Sequence, residues 1–411
     1  MRKTNPAARI KDFFRTPRGT RASLWGAYFL YWASLAPFIP FIGLYYESIN
    51  LNGSQIGQLS SIRNLVSFAS SILLAFLSDF LRRRRLILRV CILGMIAALL
   101  LFPRAASFWS LLPIVTLYSI FLSPTTAILD ESTLCSLDNP RDYSKVRMGG
   151  PVGWGILILI TGWLLDNTAV SLAVIFNLHI LLLIPLLAFS WLLPKADRTP
   201  SVSAEKASFK YVWEMLRLPA FLPWMGLVLL WGVADSSILN FLFLHIKSIS
   251  GSPALMSAAL FVSILGEIAG FAAAKRIQHR VGARLMIVLS FVVHFIWFAA
   301  ASFIKQPASI LFFQVLGGIS FALIQAGSVA YVEQRAPRRI GTTAQAVRSA
   351  VLLGLGSGVG ALISGALYQA VGSTALYRVM AVVAFGGFLL ALLLRSLDRS
   401  REKNAARVHP D

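Results

Sequence analysis

The chain is 411 residues long, 57% hydrophobic and only 13% charged, yet its formal net charge is +21. A soluble domain of this length cannot hide so much apolar surface, so long apolar runs must face lipid. In a soluble chain the basic excess would point to nucleic acid, but here the charge is sorted along the chain in the manner of a topology signal.

A hydrocarbon core of roughly 30 Å takes about 20 helical residues to cross. Lipid leaves no partner for a lone backbone group, so spans must be helices or a closed barrel. The apolar runs are continuous rather than alternating, which selects helices. Twelve spans are predicted: 22–46, 55–80, 86–103, 108–135, 147–166 and 168–193, then 219–246, 253–274, 284–304, 308–335, 343–370 and 374–396. The first is too long for a signal peptide and lacks a small-residue cleavage site, so it is expected to be kept.

Most of the Lys and Arg lie in the two tails and in every second loop, as in Arg82 to Arg85, Lys195 to Lys210 and Lys275 to Arg284. The alternate loops carry only Arg104, Lys247 and Lys305. This positive-inside bias places both termini in the cytoplasm. Cys91 and Cys135 lie in or at the end of spans without metal-ligand spacing, so no disulfide, metal or cofactor is expected.

Residues 194–208 are the long polar stretch between spans. They divide the chain into a tail (1–21), a six-span half (22–193), a cytoplasmic linker (194–208), a second six-span half (209–396) and a final tail (397–411). The halves look related at an offset of about 200 residues, since Gly153, Gly155 and Gly162 of span five match Gly356, Gly358 and Gly365 of span eleven. Parallel repeats of this kind are one layout of secondary transporters, with the substrate site at the repeat interface.

Six ionisable residues are stranded in apolar sequence: Arg63, Asp130, Glu131, Arg147, Asp235 and Glu267. A charge at mid-bilayer costs about 2.5–3.5 kcal/mol on insertion scales, so such residues are paired, hydrated or used. Arg147 opens span five, where its fork of donors suits hydroxyls or carboxylates, and Asp130 is its expected partner. Glu131 points about 100° away on the same helix. Asp235 is expected near mid-depth and to pair with Arg348 or Arg63. Glu267 sits among Phe261 to Phe271 with no basic residue near it in sequence; a carboxylate stripped of water can hold a proton there. The lone histidines His179 and His294 are expected to make interhelical hydrogen bonds.

These features resemble the major facilitator superfamily. The loop after span two resembles its Gly-x-x-x-Asp-Arg-x-Gly-Arg-Arg signature: Asp79, Arg83 and Arg84 fit it, whereas Ala75, Phe80 and Arg82 depart from it. The resemblance implies a gating role for Asp79, Arg83 and Arg84. A narrower resemblance, to the lactose-permease-like and phenylpropionate-permease-like branch, covers nearly the whole chain. It rests on Tyr28 to Phe41 in span one, on Tyr143-Ser144-Lys145-Val146-Arg147-Met148-Gly149 with Val152-Gly153-Trp154, and on Leu265-Gly266-Glu267. It implies that Arg147, Trp154 and Glu267 bind substrate, the tryptophan by stacking, with Asp130 standing near a span-four carboxylate. Asn240, five residues after Asp235, matches a span-seven spacing of that branch. The branch also keeps an arginine in span nine and, in span ten, a histidine, with a glutamate in its proton-coupled members. Trp297, Gly317 and Ser320 stand at or near those positions, so that relay is missing as a set.

The expectation is an all-α integral membrane protein, with twelve transmembrane helices in two pseudo-symmetric six-helix bundles, the major facilitator fold. It is a secondary transporter in the inner membrane, moving a small polar or anionic solute, saccharide-like by resemblance, through alternating access and proton symport. Substrate-binding candidates are Arg147, Glu267, Asp130, Trp154, Asp235 and Asn240; Glu267 and Asp130 are the proton-coupling candidates. The expected partners are the solute, protons and the bilayer, with no nucleic acid and no second copy. No nucleophile–base or metal set points to an enzyme, and no phosphate loop points to ATP. The rivals are an exporter of amphipathic compounds by proton antiport, with Trp297, Phe295, Phe312 and Phe313 lining its cavity, and a membrane sensor that binds without translocating.

Overall fold

The computed structural model describes residues 16–81, 84–137, 143–191, 193, 221–336 and 341–408; the 194–208 stretch lies outside the described residues. The described chain is helical throughout, without a strand. Seven described helices are long and apolar enough to cross a membrane, and Val174–Phe189 is a shorter apolar helix. The chain folds into two compact units, residues 1–51 with 62–203, and residues 52–61 with 204–411.

The first unit begins with α1 (Pro17–Leu35), whose N-cap Thr16 accepts from the Gly19 amide at 3.1 Å. Pro37 and Pro40 lack the N–H a helix needs, so the chain turns over Ala36–Phe41 before α2 (Ile42–Ser48) completes the first span. Then follow α3 (Gly53–Leu81), shared between the units, α4 (Arg84–Leu101), α5 (Phe108–Ser136), the short α6 (Tyr143–Arg147), α7 (Gly149–Asn167) and α8 (Val174–Phe189). A Ser107–Ser110 capping box starts α5, and Pro113 and Pro124 interrupt its ladder of bonds. Aromatic side chains fill the core of this unit: Phe38 lies 4.9 Å from Tyr118 and 5.8 Å from Phe176, and Phe102 stacks on Phe176 at 5.1 Å.

The second unit holds α9 (Phe221–Ser248), α10 (Pro253–Phe303), α11 (Ser309–Arg335), α12 (Gly341–Ser349), a π-helical turn (Ala350–Gly356) and α13 (Ser357–Val408). At 51 and 52 residues, α10 and α13 would each run roughly 75 Å as single rods. Each is instead two spans meeting at one glycine in the left-handed region, Gly282 (φ +79°) and Gly372 (φ +76°), where a side chain would strain the backbone. Thus Lys275, Arg276 and Arg280, expected in a loop, lie on a helix that continues up to Gly282. The core of the unit is Trp224, Trp231, Phe291, Ile324, Tyr331 and Leu352 with their neighbours.

The internal repeat is visible within each unit. The first span ends with Asn50 at φ +62° and α9 with Ser250 at φ +65°, two non-glycine left-handed helix ends at equivalent positions. A Cβ on Gly153 would strike Phe29 of α1, while one on Gly356 would come within 3.1 Å of the Gly232 Cα of α9. The same glycine position thus brings span five onto span one and span eleven onto span seven.

One buried carboxylate ties helix ends together in the second unit. Asp398 accepts from Trp224 Nε1 at 2.9 Å and pairs with Arg284 Nε at 3.2 Å. It therefore joins the start of α9, the second span of α10 and the end of α13. Removing the acceptor leaves a buried indole donor and a guanidinium short of a partner. We expect Asp398→Ala to cost about 1–3 kcal/mol, read as a lower melting temperature of the detergent-purified chain, while Asp398→Asn should keep part of the loss at bay.

Candidate functional site

In the first unit, four of the residues that matter come from three helices. Tyr28 of α1 is fully buried and its Oη donates to Asp130 Oδ1 of α5 at 2.5 Å. Arg147, at the end of α6, donates from Nη1 to Tyr143 Oη at 3.1 Å, with its guanidinium 5.8 Å from the centre of that ring. Asp130 is within electrostatic reach of both Tyr143 and Arg147. Asp130 and Arg147 thus belong to one cluster, as expected, but no ion pair joins them among the described residues. Two tyrosines stand as their direct partners. A buried phenol is a better neighbour for a half-buried carboxylate than an arginine at an exposed helix end, because it brings a donor without a second charge to desolvate.

Trp154 follows on α7. Gly150 packs so closely on α1 that a Cβ there would lie 2.6 Å from the Trp32 ring. The approach sets Trp154 edge-on to Trp32, ring centres 6.0 Å apart. A second link between α1 and α5 runs from Thr126 Oγ1 to Tyr31 Oη (2.9 Å) and from Tyr31 Oη to the Leu122 carbonyl (3.0 Å). The Glu131 side chain lies outside the described residues. So do Arg83 and the side chains of Asp79 and Arg84, the latter two lying on α3 and α4.

In the second unit, Asp235 of α9 and Glu267 of α10 are each half-buried, and Glu267 lies within electrostatic reach of Asp235. Neither makes a hydrogen bond or ion pair with another described residue. Asn240 turns back on its own helix, donating from Nδ2 to the Ser236 carbonyl (2.8 Å) and to Ser236 Oγ (3.0 Å). The expected Asp235–Arg348 pair does not form. Arg348 is instead held by Gln325 Oε1 (2.8 Å), Gln345 Oε1 (3.0 Å), Ser349 Oγ (3.1 Å) and Ser328 Oγ (3.2 Å). Arg63 is buried within reach of Tyr46 and Tyr118 and belongs to the other unit from Asp235, so that alternative pair stays an expectation.

Where the sequence lacks a relay, the structure has a neutral network. Trp297, fully buried, donates to Gln314 Oε1 at 3.1 Å, which makes it part of the packing rather than a cavity wall. Ser320 donates to the Ser290 carbonyl (2.9 Å) and accepts from Trp231 Nε1 (3.3 Å), so it is left as acceptor to His294 Nδ1 at 3.0 Å. His294 thus makes the expected interhelical bond. His179 does not: it makes no hydrogen bond to a described residue and packs edge-on against Phe38 and Tyr118, at 5.2 and 5.8 Å. Among the described residues no group of three or more His, Cys, Asp or Glu could hold a metal.

This arrangement defines a class: helical membrane repeats with isolated, mutually near polar groups and no catalytic or metal set among the described residues. The chain matches the MFS_1 like family over residues 22–379 and belongs to it. Its fold is the major facilitator fold, twelve transmembrane helices in two six-helix bundles. It is 26% identical to the maltose permease of Geobacillus stearothermophilus over 380 residues, covering 91% of this chain and 94% of that one. It is 23% identical over 376 residues to the probable 3-phenylpropionic acid transporter of Escherichia coli K12, covering 88% of this chain and 95% of that one. A crystal structure of the nucleoside transporter NupG superposes with a TM-score of 0.80 at 17% identity, covering 92% and 98% of the two chains. The chain is a multi-pass membrane protein of a transporter family.

Proposed function

We propose that this chain is a secondary transporter that moves a small polar or anionic organic solute by alternating access, coupled to protons in the same direction. Its setting is the inner membrane, with both termini cytoplasmic, as the positive-inside bias requires. Maltose, phenylpropionate and nucleosides, the solutes in the names of its relatives, are small organic molecules bearing hydroxyls or a carboxylate; a saccharide-like solute fits the family resemblance best. The first unit contributes Arg147, Asp130 and Trp154 to solute handling, and the second contributes Glu267, Asp235 and Asn240. It is not read as an enzyme.

The observation that carries the reading is that Asp235 and Glu267 are both half-buried on membrane-spanning helices, with Glu267 within electrostatic reach of Asp235. Two neighbouring carboxylates on membrane-spanning helices, without a basic partner among the described residues, make a place where one proton can be taken up and given back. The span-nine and span-ten relay of the branch is not needed for this. The test is uptake into proteoliposomes of a panel of sugars and aromatic acids, with and without an inward proton gradient. Gradient-driven accumulation of one class is expected. Accumulation of none, alongside export of an amphipathic dye, favours the exporter; binding without movement in either direction favours the sensor.

A further inference from the structure

Arg348 is the guanidinium that the transport reading leaves without a task. It lies inside a membrane span, is only 7% exposed, and belongs to the second unit. A guanidinium has five N–H donors. Four are spent: Nε on Gln345, Nη1 on Gln325 and on Ser328, and one Nη2 hydrogen on Ser349. All four acceptors are neutral. Among the described residues no carboxylate pairs with Arg348, so a full positive charge and one Nη2 hydrogen are left over. The cage is itself fixed: Gln345 Nε2 donates to the Val329 carbonyl at 2.9 Å, which points its oxygen at Nε.

A chain that only needed a packed helix contact here would not keep a charge. Burying one uncompensated cation in a span is costly, and a neutral cage reduces that cost without cancelling the charge. The backbone beside it is also irregular. Ala350–Gly356, beginning two residues after Arg348, is wound as a π-helix, a local widening that recurs at functional sites. That turn packs on α9, where a Cβ on Gly232 would meet the Leu352 carbonyl, one turn before Asp235. A guanidinium whose Nε, Nη1 and one Nη2 hydrogen are held by neutral acceptors, with one Nη2 hydrogen left over, is suited to a single anionic oxygen.

We propose that Arg348 is an anion subsite and that the transported solute carries a carboxylate, such as a sugar acid or an aryl carboxylic acid. The proposal rests on the transport reading and narrows it. The leftover Nη2 hydrogen donates to a carboxylate oxygen, and the solute's charge neutralises the guanidinium for as long as it is bound. The Gln and Ser acceptors hold the side chain in place whether or not solute is present.

The test uses the full chain in detergent. Thermal stabilisation is measured with a panel of sugar acids and aryl carboxylic acids, each beside its own amide; uptake of the same compounds is then measured in proteoliposomes. In the unaltered chain an amide should need at least about 30-fold higher concentration than its acid for equal stabilisation, as expected for loss of a charge-assisted bond. Arg348→Gln should bring that ratio to about one. Arg348→Lys keeps the charge without the planar fork and should fall between them. Should Arg348→Gln fail to fold, the ratio in the unaltered chain and in the Lys variant decides. Equal response to acids and amides in the unaltered chain, or a ratio unchanged in Arg348→Gln, overturns the subsite. Uptake of neutral solutes without acid preference overturns the subsite alone. Acid preference in detergent without any uptake keeps the subsite and overturns the transport reading.

Discussion

Glu267→Gln is expected to abolish concentrative uptake and to flatten its dependence on pH. The amide keeps the shape and the hydrogen-bonding reach of the side chain but can neither take up nor release the proton. With one proton per solute, a gradient of one pH unit supports about a tenfold accumulation ratio, about 1.4 kcal/mol. The variant should let that ratio fall to about one while exchange of solute down its own gradient continues at a reduced rate. Should accumulation survive in Glu267→Gln and be lost in Asp235→Asn, the proton site is Asp235 and not Glu267. The measurement is accumulation against external pH at fixed internal pH, beside counterflow without a gradient. An intact accumulation ratio in the variant would sink the assignment of Glu267; counterflow that persists, though slower, with a lost ratio is the signature of a proton site.

Gly318→Leu is expected to reduce uptake by more than an order of magnitude. A Cβ on Gly318 would lie 2.5 Å from the backbone nitrogen of Glu267 and against the Ser263 carbonyl. Gly266, one residue earlier on α10, meets the Val315 carbonyl of α11 in the same way. The obstacle in both cases is backbone, which cannot rotate aside as a side chain can. Overpacking of an ordinary core costs about 1–3 kcal/mol. Here the strain is relieved by moving α11 off α10 at the residue that presents Glu267. The variant should therefore lose uptake more steeply than it loses thermal stability. Gly226 is the control, since a Cβ there meets nothing within 4 Å; Gly226→Ala should leave both uptake and melting temperature unchanged. A Gly318→Leu protein with ordinary transport would show that the α10–α11 contact does not position the site.

Much of the architecture was legible because a bilayer is a simple solvent. It demands about 20 apolar residues per span and internal satisfaction of every backbone bond. Those two demands place the spans from composition alone. The repeat was readable through glycine spacing, since only glycine allows the backbone contact that Gly153 makes with α1 and Gly356 makes near Gly232. The double-length helices were not readable. A glycine in the left-handed region takes the place of a loop at Gly282 and Gly372, and nothing in a hydropathy profile separates such a glycine from an ordinary helical one.

For the site, the sequence singled out the charges stranded in apolar sequence, Arg63, Asp130, Glu131, Arg147, Asp235 and Glu267, and named Arg348 only as a possible partner of Asp235. It could not say which of them meet. Spans are held by packing on neighbours that are distant in sequence, so the partner of a stranded charge depends on helix rotation and depth. Tertiary structure gave Asp130 to Tyr28 and Arg147 to Tyr143. It placed Glu267 within reach of Asp235, and surrounded Arg348 with glutamines and serines in place of a carboxylate. Tyrosine, glutamine and serine cost too little in an apolar run to stand out from it. The amino-acid sequence alone determined that this chain lives in lipid, how often it crosses and which charges need an explanation. Which neutral side chain answers each charge was decided only by the fold, because that depends on contacts a few ångströms long between helices far apart in the chain.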